Sequence, residues 1–103
     1  MTTAIWTPGA AGPLDELVAR IRRIVEAFAQ DQGLERAEVR VELIDGRELV
    51  VSSISAEPGF GFLTLVPYAE PGDEVRHVIV PIGAVKLVEL SAPDPARPFG
   101  FSV

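Results

Sequence analysis

A mostly β domain led by a single α-helix is the fold class this chain predicts, and three observations carry the expectation. After Pro13, Leu14, Leu17, Val18, Ile21, Ile24, Val25 and Phe28 recur at the i, i+3, i+4, i+7 spacing of one helical face. From Val39 to Val51 apolar and polar residues alternate with period two on the approach to Asp45-Gly46, and a second apolar run follows, as in a β-hairpin. Three further β-prone runs come after it, separated by turn-forming Pro and Gly residues. Together they predict a helix followed by a small, bent, five-stranded open barrel.

Each element has its own punctuation. Residues 1–12 hold Pro8, Gly9 and Gly12 among small residues and read as a flexible lead whose one bulky anchor is Trp6. Pro13 suits the first helical position, Asp15 and Glu16 suit the positive end of the helix dipole, and Gly33 supplies a left-handed cap. On the polar side, Glu16 with Arg20 and Arg22 with Glu26 form i, i+4 pairs on a solvated face. Strands follow at Val39 to Leu43 and at Arg47 to Ser55, the second interrupted by Ser52-Ser53, a small polar pair that permits a sharp bend. Glu57-Pro58-Gly59 is the next expected turn, Phe60 to Val66 the third strand, Val75 to Val80 the fourth and Val85 to Leu90 the fifth, with Pro81-Ile82-Gly83 turning the chain between the last two. The domain therefore spans 13–90, and 91–103 is a Pro-rich tail.

The chain has 103 residues, enough for one modest core. Its composition, 48% hydrophobic and 23% charged with a mean hydropathy of +0.27, is that of a folding chain rather than a disordered polyelectrolyte. The net charge of −6 and a pI near 4.6 disfavour non-specific binding to nucleic acid and to anionic membranes, so DNA is not an expected partner and RNA is disfavoured. No run approaches the roughly 18 apolar residues of a membrane span, and the N-terminus lacks a basic region followed by an apolar one, so a cytoplasmic protein without membrane contact is expected. There is no cysteine, which removes disulfides, thiolate zinc sites and cysteine nucleophiles. Arginine supplies nearly all the positive charge, with Lys86 the one lysine, a usage that fits a GC-rich genome.

The order of one helix and five short strands, with a tight turn before the last, resembles the Sm-like family of bent five-stranded barrels that assemble into rings. Val39 to Val51 is similar to the family's first motif, with Asp45-Gly46 and Arg47-Glu48 at its hairpin, and Val78 to Leu90 is similar to the strand, Gly-containing turn and strand that end the barrel. The resemblance covers about Leu14 to Leu90 and implies a homo-oligomeric, ring-forming binding or assembly module with no cofactor. In RNA-binding members an Asp and an Asn flank a base-stacking residue between the second and third strands, whereas this chain reads Ser55-Ala56-Glu57-Pro58-Gly59-Phe60-Gly61-Phe62. Many members also place an Arg before the Gly of the later turn, where this chain has Ile82 before Gly83.

Candidate functional residues follow from this reading. An RNA-binding ring would use Phe60 and Phe62 to stack bases, Ile82 and Gly83 at the later turn, and Arg20 and Arg23 to steer phosphate. Phe60 and Phe62, two apart, share one strand face, and core packing is the reading favoured for them over base stacking. Leu63, Leu65, Val78, Ile79 and Val80 lie in runs with few charges to block strand pairing and are the expected oligomer interface. His77 lacks a catalytic partner, Asp73 and Glu74 are expected as solvated loop charges after Pro71-Gly72, and Gly59, Gly61 and Gly83 fit turns rather than a phosphate loop, so no enzyme chemistry is expected. Phe99 to Val103 is expected as a frayed terminus, with an added edge strand or a dock on a neighbouring subunit as the alternatives.

Overall fold

The computed structural model describes residues 13–94; Trp6, Phe99 and Phe101, and the expectations attached to them, lie outside the described residues. The chain runs α1 (Pro13–Asp31), β1 (Glu38–Leu43), β2 (Glu48–Gly59), β3 (Phe62–Pro67), β4 (Val78–Pro81), a 3-10 turn (Ile82–Ala84) and β5 (Val85–Ser91). The strands form one antiparallel sheet in the order β4-β3-β2-β1-β5, which does not close and so ends in β4 on one side and β5 on the other. No described helix is long and apolar enough to cross a membrane.

The helix stops where Gly33, at φ 68°, turns left-handed. Leu34 N then donates to Ala29 O at 2.8 Å and Gly33 N to Gln30 O at 3.1 Å, which satisfies two carbonyls of the last turn. From there Ala37 leads into β1, whose Val39, Val41 and Leu43 are buried between β2 and β5. At the first hairpin, Gly46 takes φ 92° as the Asp-Gly signal requires, and Leu43 N donates to Arg47 O at 2.8 Å.

Strand β2 is the longest and serves two partners. Its first half pairs with β1 as far as Val39↔Val51, and its second half pairs with β3, with a register shift between Val51 and Ser53. The small polar pair thus sits at an irregularity that bends the strand, as the sequence suggests, and Ser52 Oγ donates to Val66 O at 3.1 Å across it. The expected turn at Glu57-Pro58-Gly59 is instead the end of β2. Reversal comes two residues later, because Gly59 still pairs with Phe62 and Thr64 Oγ1 donates to Glu57 O at 2.8 Å. Strand β4 begins at Val78 rather than Val75: continuing the β3 register would set Arg76 opposite Pro67, which has no amide to offer. His77, Asp73 and Glu74 accordingly lie in an exposed loop, where Asp73 N donates to Glu70 O at 2.9 Å.

Val18, Val25 and Ala29 of α1 join Val51, Ile54, Leu63, Leu65 and Val80 in the core. The expected apolar face is wider than the sheet covers. Leu14, Ile21 and Phe28 are partly buried, while Leu17 and Ile24 remain 39% and 59% exposed. Neither expected helical ion pair forms. Arg22 instead donates to Ile54 O at 2.8 Å, just past the bend in β2, and no hydrogen bond or ion pair among the described residues engages Glu16 or Arg20. This bond ties helix to sheet in a partly buried place. Arg22→Ala should cost about 1 kcal/mol of unfolding free energy and Arg23→Ala less than about 0.5 kcal/mol, a contrast readable by urea denaturation.

Candidate functional site

Three turns meet at one end of the sheet. The β2–β3 hairpin closes over Phe60 and Gly61, with Gly59 paired to Phe62. Both central residues have positive φ, 58° and 83°, the backbone of a type I′ turn, and Gly59 before them is at 98°. Glycine adopts that geometry freely. Phenylalanine does so only at the cost of contact between its Cβ and the backbone, about 1–2 kcal/mol. Phe60 stands at the tip of the hairpin, 65% exposed.

The 3-10 turn packs beside that tip. Phe62 pairs with Pro81, and Ile82 N donates to Gly61 O at 2.9 Å. At the other end of the same turn, Ile44 N of the β1–β2 hairpin donates to Ala84 O at 2.9 Å. The result is a cluster of exposed apolar side chains, Phe60, Phe62 and Ile82, with Ile44 at its margin and Gly83 in the turn between. Core packing of Phe60 and Phe62 is therefore corrected, because the reversal falls on Phe60 itself and removes it from the strand face it was expected to share with Phe62. Ile44 was not singled out from sequence, because its link to the cluster runs through a backbone hydrogen bond between distant segments.

Cations near this end are engaged locally. Arg47 Nε lies 3.0 Å from Asp45 Oδ2, and Lys86 Nζ lies 3.2 Å from Glu42 Oε2. The Arg47 amide, donating to Asp45 Oδ1 at 3.0 Å, is the main cause holding the Asp45 carboxyl below the ordinary aspartate value, with the Arg47 guanidinium adding to it. Arg20 and Arg23 are exposed on α1, and no hydrogen bond or ion pair among the described residues links them to the aromatic cluster. The structure thus brings Phe60, Phe62, Ile82 and Gly83 together and leaves the helix arginines on a separate element.

The five strand residues expected at an oligomer interface divide in two. Leu63, Leu65 and Val80 are buried, and β3 is hydrogen-bonded along both sides, so their side chains belong to the core. Val78 is half-buried and Ile79 is 55% exposed, both on the open edge strand β4. Away from these surfaces, a groove of about 470 Å³ runs between Arg36, Ser52 and the loop from Tyr68 to Val75, a juxtaposition with no signal in the local sequence. Among the described residues no group of three His, Cys, Asp or Glu side chains is placed to hold a metal ion.

Two measurements check this geometry. Phe60→Asn, which suits a left-handed position, should raise stability by about 0.5–1 kcal/mol, whereas Gly61→Ala should lower it by about 1–2 kcal/mol although open space surrounds the position. Because the Asp45 pKa is lowered in the folded chain, the turn's electrostatic contribution is present above the ordinary aspartate value of 3.8 and fades as pH falls through the lower folded value. The Asp45 carboxyl signal in NMR should titrate below that value and move back toward it in Arg47→Ala.

No family model, no curated protein and no solved structure matches this chain.

Proposed function

We propose that the chain is a non-enzymatic Sm-like module that assembles with copies of itself and offers the turn cluster of Phe60, Phe62 and Ile82 to a partner. The observation that carries this reading is the open sheet, whose β4 and β5 edges are both unpaired among the described residues. Unpaired strand edges persist when blunted or matched to another chain, and β4 carries no charge along Val78-Ile79-Val80-Pro81. Pairing β4 of one copy with β5 of the next in a repeating, head-to-tail sense closes a ring when the rotation per copy divides a full turn. Antiparallel pairing sets the end of β4 beside the start of the neighbouring β5, and both abut the 3-10 turn, so successive aromatic clusters would line one rim.

A second reading is favoured by the exposure of Phe60 and Phe62: an RNA-binding ring in which these rings stack on bases. Against it stand the net charge of −6 and the local ion pairs of Arg47 and Lys86, which leave phosphate few partners near the cluster. A protein of this class carries no resident cofactor and acts without membrane contact.

Light scattering combined with fluorescence anisotropy of labelled oligo(U) and oligo(A) separates the readings. An assembly module should give a mass several times 11.1 kDa and no binding, and raised salt should leave the assembly intact or favour it by screening the repulsion between acidic copies. An RNA-binding ring should bind at micromolar or lower concentration and lose affinity steeply with salt. Ile79→Lys, at an exposed edge position, should reduce the mass to that of a single folded chain; an unchanged mass would remove β4 from the interface.

A further inference from the structure

Val18, Val25 and Ala29 of the helix lie in the core and Leu14, Ile21 and Phe28 pack against it, while Leu17 and Ile24, two turns apart, form an outward ridge beside that face. Covering apolar side chains left exposed on one helical line is favourable. Arg20 stands beside the ridge, three residues from Leu17 and four from Ile24, and makes no hydrogen bond or ion pair with any described residue.

We propose that the ridge formed by Leu17 and Ile24 is a docking surface for Ile5-Trp6 of the chain's own N-terminal segment, with Arg20 against the indole. Residues 1–12 run directly into α1 at Pro13, so the segment's point of attachment lies one turn from Leu17. Six residues separate Trp6 from Pro13, and the seven steps between them span up to about 23 Å when extended. Ile24 lies eleven residues along the helix from Pro13, or about 16 Å, and is within that reach. Gly9 and Gly12 allow the reversal that folding back along the helix demands. The segment carries no charged side chain, so nothing in it opposes burial on an apolar surface, and a guanidinium over an indole face is a favourable pairing.

The rival occupant is α1 of a second copy, since Leu14, Leu17, Ile21, Ile24 and Phe28 follow the alternating three and four spacing of a helix-pairing seam. The tether decides between them. A segment joined through six residues meets the ridge at a millimolar effective concentration, whereas separate copies carry a net charge of −6 each and repel.

Trp6 is the chain's one tryptophan, so its emission reports on this contact directly. In the full chain the emission should lie to the blue of the urea-denatured chain and resist acrylamide. Ile24→Ser, and independently Leu17→Ser, should shift it to the red with the far-ultraviolet circular dichroism unchanged, while Ile44→Ser, more exposed than either but on the β1–β2 hairpin, should not. The blue-shifted emission should also be independent of dilution and survive in Ile79→Lys, which separates this contact from assembly through the sheet edges. Emission already at the denatured position overturns the proposal, as does a blue shift that neither ridge substitution alters. Loss of the blue shift on dilution, or in Ile79→Lys, overturns it in favour of a contact between copies.

Discussion

The bend in β2 at Ser52-Ser53 is the constraint on which the rest of this molecule depends. A straight strand of twelve residues would carry β1 and β3 on opposite edges of a flat ribbon, with no enclosed side for Ile54, Leu65 and Val39 to share. By shifting register between Val51 and Ser53, β2 gives its first half to β1 and its second to β3, and the sheet folds around its own apolar side chains. The irregular backbone is satisfied locally: Ser52 reaches the Val66 carbonyl and Arg22 reaches that of Ile54. Those two bonds also fix where β3 crosses and where the helix lies. The position of the aromatic tip and of both open edges follows from the same bend.

Much of this was legible in the residues. The helix and its Gly33 cap, the Asp45-Gly46 hairpin and the serine bend all rest on local chemistry, in which a spacing or a backbone preference has one cheap outcome. The pairing of β1 with β5, which joins distant segments, had no local signal. Where the reading failed, the deciding interaction joined distant residues. The hairpin tip moved to Phe60-Gly61 because Gly59 finds Phe62 across the strand and Thr64 finds Glu57, a pairing that overrides the turn preference of Pro58-Gly59. Arg22 left its helical neighbour for a carbonyl 32 residues away.

The candidate site was half legible. Its residues were named as types, two aromatics and a glycine turn, but their convergence depends on the amide of Ile82 reaching Gly61 and that of Ile44 reaching Ala84. Burial also depends on partners that no local pattern reveals, and so the rings expected inside are outside while Leu63 and Leu65, expected at a surface, are inside. Electrostatics narrows what such a cluster can accept. With Arg47 and Lys86 neutralised beside it, the tip attracts by surface area and ring faces rather than by charge.

The brevity of β4 has a consequence for how the sheet moves. Four residues joined to β3 along one side, and flanked by a ten-residue loop and a single 3-10 turn, form the smallest cooperative unit of the sheet. Such a unit opens far more often than the rest, and each opening uncovers Leu63 and Leu65 together with the amides of β3. An incoming strand then has two ways to add itself: alongside β4, lengthening the sheet, or in its place, with the displaced strand released to a neighbour. Strand exchange of the second kind is built into any sheet whose last member is its weakest.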